Sequence, residues 1–334
     1  MPRLVLPLLA GCCLAGGMIQ LAFAGDAYKP DPGPYAIHVE ASVALPYPEL
    51  EKDLLLRVTY PEARDGESPE GEKYPLIIFS HGGRCSRDAY TEFADHWASH
   101  GYIVVQPAHL DSLSIEPPAN LRGMQMMNTA VLTRRMDLPY IIDSISTIEA
   151  LVPALRERID AERIVAAGHS LGGATAMAVT GVIMVDPSTD QEFGFLDERF
   201  DALLLITNPG NSPMMPDDPW RFVALPTLVT TGTNDVSSLA RAIKSKSVFQ
   251  FPEGAQFADT PNHYLFIDDM NHYLGGLICK PRPGDTPDRG AAHIINGVSI
   301  AFLDAYMKDD AVALAFLNGQ RMPDSVPRAT LLIK

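Results

Sequence analysis

Residues 163–173 read RIVAAGHSLGG, and this stretch decides which fold the sequence predicts. Its first half is a short apolar run, typical of a strand that is buried on both faces. Its second half matches the pattern Gly-x-Ser-x-Gly, and the small residues that follow over 171–180 favour a helix packed closely on a sheet. Glycines suit such a tight strand-to-helix turn because bulkier neighbours would clash around a strained serine. The predicted nucleophile is therefore Ser170. The turn around it consists of Gly168, His169 and Gly172.

Apolar runs of this kind recur along the chain and alternate with segments of helical character. Strands are predicted at 54–60, 76–79, 103–105, 163–167, 202–206, 227–230 and 263–267, the last of the series. Helices are predicted at 88–99, about 134–150, 171–180 and within 290–318, with Pro139 in or near the first turn of the second. Alternation over this length indicates a mostly parallel sheet covered on both faces, which places active sites at the carboxyl ends of its strands. The expectation is an α/β-hydrolase fold forming a single domain over residues 25–334.

Three histidines downstream of the serine compete for the role of general base. His263 opens a predicted strand and would lie at the wrong end of the sheet. His293 falls in the C-terminal helical region. His272 follows the strand at 263–267 at the carboxyl end, so it is the predicted base.

An acid must orient that histidine. Asp235 comes just after the strand at 227–230 and is the predicted orienting acid. Asp268 and Asp269 are the alternatives, but they are too close in sequence to His272 for the usual geometry.

Two backbone N–H groups are expected to bind the oxyanion. One belongs to Leu171, directly after the nucleophile. The second is assigned to Gly83, in the Gly-rich loop after the strand at 76–79, with Gly82 and Arg84 as alternatives. His81 in the same loop is interpreted as a structural residue.

Composition excludes some classes of function. The 334 residues carry a formal charge of −15, which argues against nucleic-acid binding because that requires a basic face. The chain contains no CxxC pair, and no catalytic metal is predicted. Beyond the N-terminal region, no apolar run is long enough for a membrane span.

The N-terminus has the layout of a secretory signal peptide over residues 1–24, with a basic Arg3, an apolar stretch and a small-x-small site that ends at Ala24. The predicted protein is exported, either periplasmic or secreted. A lipobox-like sequence ending at Cys12 leaves a lipoprotein as the alternative. After processing at Ala24 two cysteines remain, Cys85 and Cys279, which either form a disulfide or stay as two buried thiols.

A long insertion at 111–137 separates the strand at 103–105 from the next helix, and it is rich in methionine: Met124, Met126, Met127 and Met136. Methionine adapts to irregular apolar ligands, so the insertion is a candidate lid or pocket wall. Ordinary core packing is the alternative.

Three stretches carry a resemblance to a known family: 74–83, 97–105 and 168–173. Here the chain resembles the bacterial predicted dienelactone hydrolases and their relatives, the platelet-activating-factor acetylhydrolases and chlorophyllases, over roughly residues 50–310. The resemblance implies hydrolysis of carboxylic esters without a cofactor, through Ser170, Asp235 and His272. True dienelactone hydrolases use a cysteine nucleophile, so their lactone substrate is not carried over.

The predicted partner is therefore an ester substrate, whether small molecule, lipid or polymer. Exported polyester hydrolases share the same plan. Two alternatives stay open: a peptidase or amidase of the same fold, and a secreted binding protein that does not catalyse a reaction.

Overall fold

The computed structural model describes residues 27–62, 72–116, 123–185, 191–207, 220–235 and 260–333. The predicted signal peptide at 1–24 and the lipobox-like sequence lie outside these ranges.

The described chain contains eleven strands and six α-helices. The strands are β1 (Ile37–Tyr47), β2 (Lys52–Pro61), β3 (Tyr74–Ser80), β4 (Ile103–Pro107), β5 (Ile159–His169), β6 (Met184–Val185), β7 (Glu192–Phe193), β8 (Ala202–Ile206), β9 (Thr227–Asn234), β10 (Asn262–Asn271) and β11 (Ala329–Ile333). The helices are α1 (Thr91–Ser99), α2 (Gly123–Asp143), α3 (Ile145–Leu151), α4 (Leu171–Val179), α5 (Arg289–Met307) and α6 (Ala311–Gly319).

Nine of these strands form one sheet in the order β1-β2-β4-β3-β5-β8-β9-β10-β11. The six strands from β4 to β10 in this order run parallel, while β1, β2 and β11 pair antiparallel with their neighbours. Strands β6 and β7 pair separately as a short antiparallel ladder. The predicted α/β-hydrolase fold, a mostly parallel sheet flanked by helices, is confirmed.

Each face of the sheet is covered by its own apolar cluster, because alternate residues of a strand point to opposite faces. In β3, for example, Ile77 and Phe79 lie in one cluster with Trp97, while Leu76 and Ile78 lie in the other. All five side chains are at most 1% exposed. Burial on both faces explains why the central strands read as continuous apolar runs rather than as alternating patterns.

The second predicted helix was placed wrongly. A helix was expected at about 134–150, but α2 begins at Gly123, ends at Asp143 and is followed separately by α3. Pro139 lies inside α2 and not in a first turn. The reason is that the Gln, Met, Leu and Arg residues before the proline favour a helix and extend it in the N-terminal direction. Much of the insertion predicted at 111–137 is therefore the first part of α2.

Two edge strands were missed. β1 precedes the first predicted strand, at 54–60, in a stretch where no strand was predicted, and β11 follows the strand that was predicted to be the last. Both pair antiparallel at opposite edges of the sheet. Among the described helices, none is both long enough and apolar enough to cross a membrane.

Candidate active site

Three loops at the carboxyl ends of parallel strands bring the predicted nucleophile, base and acid together. Ser170 follows β5, Asp235 follows β9 and His272 follows β10. Ser170 Oγ lies 2.8 Å from His272 Nε2, and His272 Nδ1 lies 2.7 Å from Asp235 Oδ1. If Nδ1 carries the proton toward the carboxylate, Nε2 is free to accept the serine proton.

The turn that carries Ser170 has the backbone that the motif predicts. The residue has φ 54° and ψ −119°, outside the regions that side-chain-bearing residues usually adopt. A Cβ added to Gly172 would lie 1.9 Å from the carbonyl oxygen of Ser80, and one added to Gly168 would lie 2.4 Å from the Gly172 backbone. A backbone conformation like that of Ser170 costs about 1–3 kcal/mol and persists only where the surrounding structure enforces it. The glycines of the motif are thus required by close backbone packing.

The acid is held from two sides. Besides the His272 ring, the Asp235 carboxylate accepts a hydrogen bond of 3.0 Å from Thr231 Oγ1, and its side chain is 2% exposed. The alternatives Asp268 and Asp269 are exposed at the end of β10. The structure therefore places Asp235 beside the histidine ring and leaves the two alternatives at the surface.

His169, which the motif leaves unspecified, connects three loops of the site. Its Nε2 lies 3.0 Å from the carbonyl oxygen of His272, and its Nδ1 lies 2.8 Å from the Tyr90 hydroxyl. That hydroxyl in turn accepts the N–H of Gly82 at 2.9 Å. Burial lowers the pKa of His169 well below its ordinary value, so the ring is neutral and bridges rather than titrates. Thr207 Oγ1 also donates to the carbonyl of His272, at 3.1 Å.

The loop after β3 contains the three candidates for the second oxyanion donor. The N–H of Gly82 is bonded to Tyr90, and the N–H of Arg84 donates to Asp111 Oδ2 at 2.8 Å. Within the described residues no hydrogen bond uses the N–H of Gly83. Gly83 also lies beside Leu171, since a Cβ built on it would be 3.2 Å from Leu171 Cδ2. Of the three, Gly83 is the one with a donor left for a ligand.

A buried polar cluster beneath this loop was not predicted. It contains a bidentate pair between Arg134 and Asp111 and a second pair, His109 Nδ1 to Asp137 Oδ2, at 2.7 Å. His109 Nε2 continues to Ser80 Oγ at 2.8 Å. One signal in the sequence could have indicated it: His109 and Asp111 follow β4 at the carboxyl end of the sheet, where functional side chains collect.

Charges in this cluster shift one another's protonation. Burial raises the pKa of Asp111, but the Arg134 guanidinium outweighs it and brings that pKa down to about 2. Burial raises the pKa of Asp137 to about 7 and lowers the pKa of His109 well below its ordinary value. The cluster therefore combines one ion pair with one pair in which both partners favour the neutral form.

Cys85 and Cys279 are joined by a disulfide across 194 residues of sequence. Cys85 ends the loop that holds Gly83, and Cys279 follows the segment that begins with His272. The bond thus links the loop of the candidate oxyanion donor to the loop of the candidate base.

Within the described segments, one group of three potential metal ligands lies close together: Cys85, His169 and Cys279. Its two sulfur atoms form the disulfide and offer no thiolate. His96 on α1 and His100, the residue directly after that helix, have His-x-x-x-His spacing, a spacing that metal ligands also use. Their Nε2 atoms lie at 3.1 and 3.0 Å from the backbone carbonyls of Lys29 and Asp31.

The methionines of the predicted insertion lie in different surroundings. Met127 approaches the site, because its Cε would be 3.8 Å from a Cβ on Gly83. Met126 is half-buried, and Met136 is 45% exposed on the other side of α2, in a surface groove that also contains Phe195. The side chain of Met124 lies outside the described ones.

Comparison with known proteins gives consistent matches. The family model of chlorophyllase matches residues 56–193. A platelet-activating factor acetylhydrolase of Bos taurus is 29% identical over 154 residues, covering 36% of this chain and 35% of the relative. The chain therefore spans about a third of the length of that relative. Chlorophyllase type 0 of Chenopodium album is 22% identical over 267 residues, which cover 72% of this chain and 70% of the relative. Chlorophyllase-1 of Citrus sinensis is 33% identical over 129 residues, or 36% and 35% of the two chains.

These relatives are an acetylhydrolase and two chlorophyllases. The predicted resemblance is also supported by the parallel sheet and by the turn at Ser170. The chain has the α/β-hydrolase fold and is similar in sequence to the chlorophyllases and the platelet-activating factor acetylhydrolases.

Proposed function

We propose that this protein hydrolyses carboxylic esters through an acyl-enzyme intermediate on Ser170. One observation carries the proposal: an unbroken chain of hydrogen bonds runs from the buried Asp235 through His272 to Ser170 Oγ, which lies half-buried in a strained turn. A nucleophile, a base within hydrogen-bond reach and a group that orients the base are the parts that this chemistry needs.

In the first half-reaction, Ser170 Oγ attacks the ester carbonyl carbon and its proton passes to His272 Nε2. The carboxylate of Asp235 stabilises the imidazolium through Nδ1. The oxyanion accepts hydrogen bonds from the N–H groups of Leu171 and Gly83. When the tetrahedral intermediate collapses, the bond to the alcohol oxygen breaks, and the alcohol leaves with the proton from Nε2.

In the second half-reaction, water replaces the alcohol. His272 takes a proton from the water, whose oxygen attacks the acyl carbon, and the same two N–H groups hold the second oxyanion. Collapse releases the carboxylic acid and returns the proton to Ser170 Oγ. No cofactor is needed in either step.

Helix α4 supports this assignment because its N-terminus is at the site. Leu171 is its first residue, so the N–H of Leu171 has no partner within the helix. The partial positive charge of a helix N-terminus also favours negative charge nearby. The N-terminus of α4, next to Ser170, thus supplies a hydrogen-bond donor and a partial positive charge that favours an oxyanion.

The proposed substrates are esters with an apolar part, whether lipid, polymer or small molecule. Met127 lies beside Gly83, in the loop after β3, and this position supports a role for the predicted insertion as a pocket wall. The disulfide supports export, since such bonds form in oxidising compartments. We propose processing at Ala24, with lipid attachment at Cys12 as the alternative.

The test is hydrolysis of p-nitrophenyl acetate, butyrate, octanoate and palmitate by the protein processed at Ala24. We expect turnover by wild type and a loss on the order of 10⁶-fold in kcat for Ser170→Ala. The exposed Ser325 offers a matched control, and Ser325→Ala should keep wild-type rates. Equal turnover by wild type and Ser170→Ala would refute the proposal.

Matched ester and amide substrates separate the esterase from a peptidase of the same fold. An ester-to-amide ratio in kcat/KM far above the ratio of their intrinsic reactivities supports the esterase. Labelling of Ser170 by a fluorophosphonate, together with faster cleavage of the amide, would favour the peptidase. If the protein shows no turnover of either substrate and Ser170 is not labelled, the result would favour a binding protein that does not catalyse a reaction.

A further inference from the structure

A wholly buried arginine lies beneath the loop that holds the candidate oxyanion donor. We propose that Arg134 is a positioning residue that aims the N–H of Gly83 at the oxyanion. This inference rests on the ester hydrolysis proposed above. We call residues 80–85, which connect β3 to the disulfide, the oxyanion loop.

Arg134 comes from helix α2 and binds the backbone of the oxyanion loop directly. Its Nη1 donates to the carbonyl oxygen of His81 at 2.6 Å, and its Nη2 donates to the carbonyl oxygen of Gly82 at 3.2 Å. Its side chain is 0% exposed. The planar guanidinium can reach two successive carbonyls at once, which a single ammonium group cannot do with the same geometry.

The carbonyl of Gly82 and the N–H of Gly83 belong to the same peptide unit. The unit is planar and trans, so these two groups point in opposite directions. The carbonyl is held from one side by Arg134, by His81 Nδ1 at 2.8 Å and by the N–H of Cys85 at 3.1 Å. Donors that hold the carbonyl therefore also set the direction of the Gly83 N–H.

The next peptide unit is held through the partner of the arginine. Asp111 accepts three hydrogen bonds of 2.8–3.0 Å from the guanidinium, and its Oδ2 accepts the N–H of Arg84 at 2.8 Å. The pair thus fixes the peptide units on both sides of Gly83. The two flanking N–H groups, of Gly82 and Arg84, are both occupied, which leaves the middle one for a ligand.

The cost of burying these charges supports a role beyond stability. A buried ion pair loses hydration that its mutual attraction only partly recovers, and apolar side chains of similar volume often stabilise a fold as well or better. Arg134 and Asp111 are both 0% exposed. Apolar side chains could not donate hydrogen bonds to the carbonyls of the oxyanion loop, and Arg134 does.

The main test compares Arg134→Lys with Arg135→Lys. Lysine at 134 keeps the charge opposite Asp111 but loses the double contact with the loop carbonyls. Arg135, the next residue on α2, stacks on Phe195 with its guanidinium carbon 3.6 Å from the ring centre, and it has no part in the loop. The readouts are kcat, KM and the inhibition constant of a trifluoromethyl ketone, whose adduct with Ser170 carries an oxyanion.

For Arg134→Lys we expect kcat to fall 10- to 100-fold, less than the 10²–10³-fold loss that follows complete removal of one oxyanion donor. The inhibition constant should rise by a similar factor, while KM changes less than about twofold, because ground-state binding does not use the N–H of Gly83. Arg135→Lys should match wild type in all three. Wild-type kcat for Arg134→Lys, or a lower kcat with an unchanged inhibition constant, would overturn the proposal.

A double variant, Arg134→Met with Asp111→Leu, removes both buried charges and so avoids leaving one unpaired. We expect it to fold, with a cooperative thermal transition, and to show a loss of kcat at least as large as that of Arg134→Lys. A folded double variant with wild-type kcat would overturn the positioning role.

Amide hydrogen exchange keeps this inference separate from the proposed function. Equal ester turnover by wild type and Ser170→Ala defeats the esterase proposal but does not affect the anchoring of the loop. Exchange at residues 82–85 should be faster in Arg134→Lys than in Arg135→Lys. Identical exchange in the two variants would overturn the positioning role whatever the turnover.

Discussion

Two hydrogen-bonded chains of a serine, a histidine and an aspartate have almost the same dimensions in this molecule. In both, the serine hydroxyl lies 2.8 Å from histidine Nε2, and Nδ1 lies 2.7 Å from the carboxylate. We call them the outer set and the buried set. The outer set is Ser170, His272 and Asp235, and the buried set is Ser80, His109 and Asp137.

The two sets differ in their surroundings. Ser170 is half-buried, has a positive φ and precedes a helix whose first N–H has no partner within that helix. Ser80 is 0% exposed and ends a regular strand of the sheet. Burial, and after it the Arg134 charge, lowers the pKa of His109 well below its ordinary value, so that ring is a poor acceptor for a serine proton. The comparison teaches that access, a strained turn and nearby donors distinguish the proposed nucleophile from a buried structural serine.

The strongest test of this comparison exchanges the two histidines for glutamine. His272→Gln should lower kcat on the order of 10⁴–10⁶-fold with little change in thermal stability, because it removes the proposed base of the outer set. His109→Gln should instead lower the free energy of unfolding by about 1–3 kcal/mol, since it leaves buried polar partners unsatisfied. Ester kinetics and urea unfolding on both variants measure the two effects.

The comparison would fail if His109→Gln lost as much activity as His272→Gln while remaining folded. The buried set would then belong to the reaction and not only to the support of the oxyanion loop.

An effect smaller than the loss of kcat in His272→Gln is expected from the disulfide, which joins the oxyanion loop to the loop that carries His272 of the outer set. The double variant Cys85→Ala, Cys279→Ala should lose about 2–5 kcal/mol of unfolding free energy, since a bond that closes a long loop restricts the unfolded chain. Urea unfolding of wild type and variant, each with and without dithiothreitol, measures this loss. A variant as stable as oxidised wild type would show that the loops are held without the bond.

The smallest expected effect is a pH dependence that belongs to the buried set. Burial raises the pKa of Asp137 to about 7, above its unfolded value near 4. The stability that depends on this proton is complete below about pH 4 and is lost as the pH rises toward 7. The unfolding free energy of wild type relative to Asp137→Asn should therefore fall over this range and then level off.

Urea unfolding at several pH values between 4.5 and 8.5 would measure this difference, with the exposed Asp324→Asn as a control for the loss of a surface carboxylate. If the difference rose with pH, Asp137 would be ionised in the folded protein. The two sets would then be electrostatically alike.

The turn at Ser170 could be predicted from sequence because its causes are local. Glycines at 168 and 172 are required by contacts within the turn and with the adjacent strand. The positions of Asp235 and His272 followed from strand ends, since parallel strands of one sheet end at the same edge. Side chains that follow the ends of parallel strands can thus be predicted from the sequence to lie close together, even when they are about a hundred residues apart.

The buried set and Arg134 could not be found in this way. Arg134 and Asp137 lie on a helix that was expected to start where they are, so no face of it could be assigned. Their partners are 23 to 53 residues away and are reached only through packing. Strand β11 was missed for a similar reason: only five residues long, it depends on its pairing with β10.

His169 shows that a position left open in a sequence motif can be restricted by the rest of the molecule. Its ring must accept from Tyr90 and donate to the backbone of His272 at once, and few side chains can do both in a fully buried position. In a search for related sequences, histidine before the serine combined with a tyrosine eight residues after Gly82 would be a more selective signature than the pentapeptide. Such a pair would mark the chains that connect their three active-site loops as this one does.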